Sequence, residues 1–445
     1  MLFRQFVDDD LGCASYLIGD ESSGEALVVD PAYAVEQYLQ TAEEEGMRIV
    51  RVLETHTHAD HVSGHGRLAL DHGVQVGIHP AAEAEFDLQP LGDGDEIEIG
   101  SVAIRVIHTP GHRPEHCAFA VSDRERSDEP WLTLTGDSLF VGDAARPDLA
   151  VEAAEGAREL YRSLQRLLEL SDGVEVHPGH VAGSLCGAGM SSKPSSTIGF
   201  ERRFNRAFAH RDEDEFVSES IRAGVRPPNT ERIVELNRGP FVGAPEAIQP
   251  LNGGGGGAIL DVRSAEDFAA GHAEGALSVP VGGGGFATKA AFVLPEGERV
   301  VVHAAGEGQV ARAVSGLRSV GIFELSGYLI GPPAQERIAA VELDELERLL
   351  GGEEVEVLDV REPHERDQGY IPGSRNIPYR LVREWVDDLQ GAKPVVTICS
   401  TGSRAGVAAS VLAAAGIDAR PVIHGGVADW EKRGGETVSF RRCGS

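Results

Sequence analysis

Cysteine is scarce in this chain: five residues in 445, odd in number and widely separated, so no disulfide framework is written into it. A cysteine with a task then works as a thiol in a reducing compartment. Long apolar runs are missing as well, which removes the signal for a membrane-spanning helix. The opening residues, Met1-Leu2-Phe3-Arg4-Gln5-Phe6, lack the basic-then-apolar order of a secretion signal, and a cytoplasmic protein with no membrane contact is expected. Basic residues are in deficit. Forty Lys and Arg face 71 Asp and Glu, and a formal charge of −31 repels nucleic-acid phosphates over most of the surface.

What is present has the composition of an ordinary globular protein, 41% hydrophobic and 25% charged, and the length suggests about three domains. Residues 1–235 read as strands and loops with a few helices. Ile49–Leu53, Val102–Ile107 and Trp131–Thr135 are strand-like, and Leu160, Leu164, Leu167 and Leu168 recur at helical spacing. Prolines and glycines thicken from Arg226 to Gly257, where a domain boundary is expected. The run Gly253–Gly257 has no Gly-Lys-Ser/Thr continuation and reads as a flexible connection, as does Gly282–Gly285.

The second half repeats itself. Ala258-Ile-Leu-Asp-Val-Arg263 is echoed by Val357-Leu-Asp-Val-Arg361, and Gly271-His-Ala-Glu-Gly-Ala276 by Gly369-Tyr-Ile-Pro-Gly-Ser374. Each copy continues through Pro280 or Pro378, a helix-compatible stretch and a second β-run. This rhythm predicts two α/β domains with parallel sheets, over residues 240–338 and 339–445.

Thr55-His56-Thr57-His58-Ala59-Asp60-His61 follows a strand directly and is dense in metal donors. His112, Asp137 and His180 follow later, each just beyond a predicted strand. Imidazole and carboxylate donors gathered from several strand ends at one sheet edge are what a metal site requires. Nothing in their spacing promotes His65, His72, His79, His108, His116 or His177, which are read as structural.

On these residues the first half resembles the metallo-β-lactamase superfamily, an αββα sandwich with metals at one edge, and within it the glyoxalase II and persulfide dioxygenase branch. A glyoxalase II-like pattern implies two zinc ions: His56, His58 and His112 on one, Asp60, His61 and His180 on the other, Asp137 bridging. A persulfide dioxygenase pattern implies one Fe(II) per chain on His56, His112 and Asp137, with places left for O2 and a persulfide sulfur. The segment Gly136–Asp148 resembles the dioxygenases, in which an arginine and an aspartate follow the metal aspartate, although Ala145 stands where glycine is usual. The resemblance makes Arg146 a candidate for the carboxylate of a thiol carrier. Gly183–Arg203 is similar to bacterial fusions of persulfide dioxygenase with rhodanese domains. Cys186, six residues past His180, is a candidate to handle sulfur there.

In the second repeat a β-run enters Cys399-Ser400-Thr401-Gly402-Ser403-Arg404 and then a helical run. Loop amides, a helix N-terminus and an arginine all stabilise a thiolate able to accept and release sulfane sulfur. The pattern resembles the rhodanese active loop, with Ala405 where serine or threonine is frequent. In the first repeat, aligning Gly306 with Gly402 places His303 opposite Cys399, and that copy is expected to be inactive.

The combined reading is an enzyme that oxidises a low-molecular-weight thiol persulfide to sulfite and moves sulfane sulfur on Cys399, forming or using thiosulfate. Its partners are the persulfide, O2 and sulfite or thiosulfate, and the resemblance leaves a homo-oligomer open. A zinc thioester hydrolase carrying a rhodanese module, and a non-oxidising sulfur carrier or sensor, are the rivals.

Overall fold

The computed structural model describes residues 1–147, 152–181, 190–210, 212–221, 226–253, 256–295, 297–331, 336–391 and 393–439. The chain divides into two compact units, Met1–Pro245 with Arg318–Gly321, and Glu246–Leu317 with Ile322–Ser445.

The first unit contains two six-stranded sheets. One runs, in spatial order, through Leu2–Val7, Ala14–Asp20, Glu25–Val29, Arg48–Leu53, Gln75–Ile78 and Gln89–Pro90. The other runs through Ser196–Thr197, Glu175–Pro178, Leu132–Gly136, Cys117–Asp123, Val102–His108 and Glu96–Ile99. Strand side chains alternate between faces, and both faces of these sheets are covered. Tyr16, Ile18, Ile104, Val106, Phe119, Val121, Leu132 and Leu134 fill one core between the sheets. Leu17, Val28 and Val52 turn outward to pack with Tyr38 and Leu68, which lie on the helices Glu36–Glu44 and His65–His72. Ala118, Ala120 and Val176 turn the other way, onto Leu160, Leu164 and Leu167 of the helix Ala153–Leu167. The result is a four-layer helix–sheet–sheet–helix sandwich, and the leucine spacing seen in the sequence is that helix's buried stripe.

The strands Arg48–Leu53, Val102–His108, Leu132–Gly136 and Glu175–Pro178 are followed within four residues by His56, His112, Asp137 and His180 in turn. The Cys117 N–H donates to the Thr55 carbonyl at 2.7 Å, tying the two sheets together at this edge.

The stretch in which a domain boundary is expected, Arg226–Gly257, contains the division between the two units after Pro245 and is structured in part. Residues Thr230–Arg238 form a helix of the first unit with Ile233 and Asn237 buried, and that unit extends to Pro245 rather than ending near 235. Proline and glycine flank this helix but do not enter it, so the composition that marks the boundary leaves room for a helix between them.

The second unit contains two four-stranded parallel sheets of the same relative order. They are Leu277–Ser278, Ala258–Asp261, Val300–Ala304, Leu325–Ile330 and Arg375–Asn376, Glu356–Asp359, Val395–Ile398, Ala419–Pro421. The repeated Asp-Val-Arg has one structural job in both. Arg263 Nε donates to Asp261 Oδ1 at 2.9 Å and Nη2 to the Gly271 carbonyl at 2.7 Å. Arg361 does the same with Asp359 at 2.9 Å and Gly369 at 2.7 Å.

The register corrects one alignment. Asp261 pairs with His303 where Asp359 pairs with Ile398, so the residue in the place of Cys399 is Ala304 and not His303. The loop that follows is shorter by one residue: the helix begins at Glu307 in one copy and at Ser403 in the other. A gap-free alignment on glycine misses that deletion. His303 is a buried strand residue whose Nδ1 lies 3.0 Å from Asp261 Oδ2.

Gly111, just before His112, has φ +136°, and a Cβ there would overlap the backbone of Leu160. Gly111→Ala is expected to push the His112 loop off the helix and to cost more than about 2 kcal/mol, read as a lowered thermal midpoint.

Candidate active sites: a metal edge and a cysteine loop

At the sheet edge His56, His112 and Asp137 each offer a donor atom, all within 4.8 Å of one another, and all three residues are buried. Each imidazole is set by a neighbour. Thr55 Oγ1 lies 2.8 Å from Asp30 Oδ2 and 2.9 Å from His56 Nδ1. Its single proton goes to the carboxylate, so it accepts from His56 Nδ1–H and leaves Nε2 with a lone pair. His112 Nδ1–H donates to the Arg146 carbonyl at 3.2 Å, again leaving Nε2, which lies 3.6 Å from Asp137 Oδ2. Burial, reinforced by the neighbouring imidazole of His58, holds the pKa of His56 well below its ordinary value; burial also lowers that of His112. Both are therefore neutral donors. Asp137 stays ionised despite burial because His180 and His112 outweigh it, bringing its pKa to about 2.

Two neutral nitrogens and one carboxylate on one side, buried and with their outer atoms already hydrogen-bonded, fit a divalent cation with positions to spare. Asp137 does not face two ways, however. Its Oδ1 accepts from His180 Nδ1 at 2.8 Å, and its N–H donates to His116 Nε2 at 2.9 Å. His116 Nδ1–H in turn donates to Thr109 Oγ1 at 2.8 Å, so this histidine holds the aspartate in place.

The remaining sequence candidates separate into two groups. His58 sits with Asp30 and Glu54, its Nε2 3.3 Å from Asp30 Oδ1 and 3.2 Å from Glu54 Oε2. Burial opposes charge on His58, and the two carboxylates outweigh it, so its pKa lies well above the ordinary value. Its Nδ1 is buried without a hydrogen-bond partner among the described residues. Asp60 and His61 gather with Cys13, and His180 Nε2 lies 2.7 Å from Asp60 Oδ2. The half-buried Arg146 is brought to the triad by its carbonyl. Cys186 and Asp148 lie outside the described residues.

Reasoning from sequence missed several residues here. Asp30 adopts φ +49° and takes the Thr55 N–H and hydroxyl, at 2.7 and 2.8 Å. Glu54 accepts from Ser63 Oγ at 2.5 Å and meets His65 Nδ1 at 2.9 Å. Asn237, from the helix in the supposed linker, donates to the carbonyls of His58 and His61 at 3.0 and 2.8 Å and accepts from the Ser63 N–H at 2.8 Å. Nothing local in sequence marks Asn237, since its partners are some 175 residues away.

In the second unit Cys399 follows the strand Val395–Ile398 and is fully buried. The Gly402 N–H points at Cys399 Sγ from 3.1 Å, and Gly402 caps the helix Ser403–Ala414 with φ +94°. A Cβ at Gly402 would overlap the Ile423 carbonyl, so the loop needs glycine for space as well as for φ. Ser400 and Ser403 are half-buried and Thr401 is exposed. Arg404, expected to add a charge that stabilises the Cys399 thiolate, is held by Glu365, which accepts from it on both oxygens at 2.6 and 2.7 Å and also accepts from Ser400 Oγ at 3.0 Å. The ion pair fixes the guanidinium.

Comparison with known proteins bears on both halves. The model of the metallo-beta-lactamase superfamily matches residues 8–180, and that of the rhodanese-like domain matches residues 342–433. Persulfide dioxygenase ETHE1 of Bos taurus is 32% identical over 183 residues, 40% of this chain and 68% of that protein. The chain belongs to the metallo-β-lactamase superfamily, in the branch of the ETHE1 persulfide dioxygenases. A rhodanese-like domain is joined to it on the C-terminal side. An uncharacterised protein of Mycobacterium leprae is 31% identical over 233 residues, 46% of this chain and 97% of its own length. The solved structure of a metallo-beta-lactamase from Staphylococcus aureus aligns with a TM-score of 0.68 and 29% identity, covering 74% of this chain and 99% of that one. For this member of the branch, no described helix is long and apolar enough to cross a membrane.

Two outcomes test the geometry. Asn237→Ala strands two carbonyls and one N–H, and is expected to cost at least about 2 kcal/mol in thermal unfolding and to weaken metal binding about 10- to 100-fold in a titration. The Arg404 ion pair and the Ser400 hydroxyl overcome burial and lower Glu365 from an ordinary 4.5 to about 2. A depressed carboxylate stabilises the fold above its unfolded pKa and loses that contribution as pH falls through the folded one. The stability difference between wild type and Glu365→Gln, measured by denaturant unfolding, is therefore expected to be full at pH 7, to shrink below about pH 4.5 and to vanish near pH 2.

Proposed function

We propose that the chain oxidises the terminal sulfur of a low-molecular-weight thiol persulfide to sulfite at a single iron(II), and exchanges sulfane sulfur on Cys399. The observation that carries the reading is the state of Asp137. With Oδ1 committed to His180, the carboxylate has one oxygen for one metal, which suits the two-histidine, one-carboxylate set and not a bridging role. His56, His112 and Asp137 would hold the iron, which supplies activation of dioxygen and a place for the persulfide sulfur. The protein's part is to keep both Nε2 atoms bare through Thr55 and the Arg146 carbonyl, and to keep Asp137 ionised through His180. Arg146 would pair with a carboxylate of the carrier thiol. The overall change is persulfide, O2 and water to thiol, sulfite and two protons.

At the second centre the Cys399 thiolate attacks the outer sulfur of thiosulfate or of a persulfide. The S–S bond breaks, sulfite or the carrier thiolate leaves, and an enzyme persulfide remains. The Gly402 N–H stabilises charge on the sulfur, and Glu365 keeps Arg404 and Ser400 in register with the loop. Residues 240–338 read as a second rhodanese-like domain without activity, because Ala304 stands where the nucleophile belongs; packing or docking is its role. The Nδ1 of His58, without a hydrogen-bond partner among the described residues, favours the rival, a zinc thioester hydrolase in which that nitrogen adds a ligand.

The deciding measurement is oxygen uptake by iron(II)-loaded protein given glutathione persulfide. Stoichiometric uptake that is lost in Asp137→Ala and kept in Cys399→Ser supports the proposal, with Cys399→Ser abolishing sulfur transfer from thiosulfate to cyanide. No uptake from any small persulfide, together with thioester cleavage by the zinc form, overturns it.

A further inference from the structure

Ion pairs flank the loop that carries Cys399. Arg404 gives Nη1 and Nη2 to the two oxygens of Glu365, at 2.6 and 2.7 Å. Arg380 lies against Glu362 in the same manner, with Nε and Nη2 each 3.1 Å from a carboxylate oxygen. The Tyr379 phenol is in the field of Glu362, Arg404 and Arg380 together, so both pairs stand on the same side of the domain. The Ser400 hydroxyl is committed as well, donating to Glu365 Oε1 at 3.0 Å and accepting from Arg404 Nη2 at 3.1 Å. We propose that Glu365 is a specificity-determining residue of the Cys399 site. By balancing Arg404 it fits the loop to sulfur donors with one negative charge, alkyl persulfides and thiosulfonates, and sets it against the thiosulfate dianion. The inference rests on the sulfur-transfer reading of Cys399.

The loop itself is suited to a single charge. The Gly402 N–H points at Cys399 Sγ from 3.1 Å, and the helix Ser403–Ala414 begins there. An amide and a helix N-terminus carry partial positive charge, enough to favour a thiolate or the enzyme persulfide that replaces it. Thiosulfate brings a second full charge to the same place, and only a full cation offsets that. Arg404 is placed to be that cation, but Glu365 occupies the donor edge of its guanidinium, as Glu362 does for Arg380. Glu365 keeps its charge at any working pH, because Arg404 and Ser400 outweigh burial and bring its pKa to about 2. The Glu365 side chain is 25% exposed and that of Arg404 21%, so an arriving donor meets the pair and not the arginine alone. Repulsion of one ligand is a general means of separating two that share the same reactive group.

The step is the same for each donor. The Cys399 thiolate attacks the outer sulfur, a bond from Cys399 Sγ to that sulfur forms, and the donor's own bond to it breaks. The electron pair leaves with sulfite, with an alkyl sulfinate or with a thiolate, for thiosulfate, a thiosulfonate and a persulfide in turn. No proton moves, and the total charge is unchanged.

The test compares two donors that differ by one charge, thiosulfate and methanethiosulfonate. Cyanide is the acceptor, the full-length chain is the enzyme, and kcat/KM is read from thiocyanate formed at low ionic strength. Glu365→Gln is expected to raise the thiosulfate-to-methanethiosulfonate ratio of kcat/KM at least about tenfold, chiefly through a lower KM for thiosulfate. That gain is expected to shrink in about 0.5 M salt, and Glu365→Asp, which keeps the charge, is expected to hold the wild-type ratio. Loss of activity by one common factor on both donors is what a purely structural role predicts, and it overturns the proposal. If Glu365→Gln does not fold, as judged by circular dichroism, Glu362→Gln decides instead: a raised ratio supports the proposal and an unchanged one overturns it. A wild-type chain that turns over neither donor overturns the sulfur-transfer reading and this inference with it. Turnover of both donors with a ratio indifferent to Glu365 overturns the inference alone.

Discussion

Several imidazoles and carboxylates are buried together at the end of two packed sheets, and the first unit is organised around making that tolerable. A buried polar atom without a partner costs free energy comparable to a lost hydrogen bond, and a buried unpaired charge costs more. The response is a connected network. Asp30 holds Thr55, which orients His56; Glu54 holds Ser63 and His65; His116 and His180 hold Asp137 from two sides. The donors left facing inward are then a coherent set, because every outward-facing atom of the triad is already committed.

That network reaches beyond the elements that carry the ligands. Asn237 comes from a helix near the end of the unit and closes the turn between His58 and Ser63. Cys13 comes from the start of the chain and is bridged to His180. The site is thus clamped by segments from both ends of the unit, and its geometry depends on the sandwich being complete.

The second unit solves a smaller problem twice. In each copy an Asp–Arg pair ties the end of the first strand to the glycine carbonyl that closes the following helix, so the motif is repeated for structural reasons whether or not a nucleophile is present. The copies diverge at the next strand end. One has Cys399, a four-residue loop and Glu365 holding Arg404; the other has Ala304 and a loop one residue shorter.

Much of this was present in the chain before folding. Dense His and Asp donors after strand-like runs, a leucine stripe at helical spacing, an internal repeat and a cysteine between a strand and a helix are local patterns. Local patterns survive in one dimension because strands alternate and helices repeat within a few residues. They were enough to place histidine and aspartate donors at strand ends, the buried helix stripe, the repeated sheets and Cys399 between a strand and a helix, while the sandwich and the choice of His56, His112 and Asp137 came from the resemblance to a family. Which oxygen of Asp137 is free, that His58 belongs to Asp30 and Glu54, that Arg404 belongs to Glu365, and that Cys13 and Asn237 stand at the metal edge were decided only in three dimensions. Each depends on partners brought together from distant segments, and a hydrogen bond is settled by ångströms and angles that no spacing along the chain encodes.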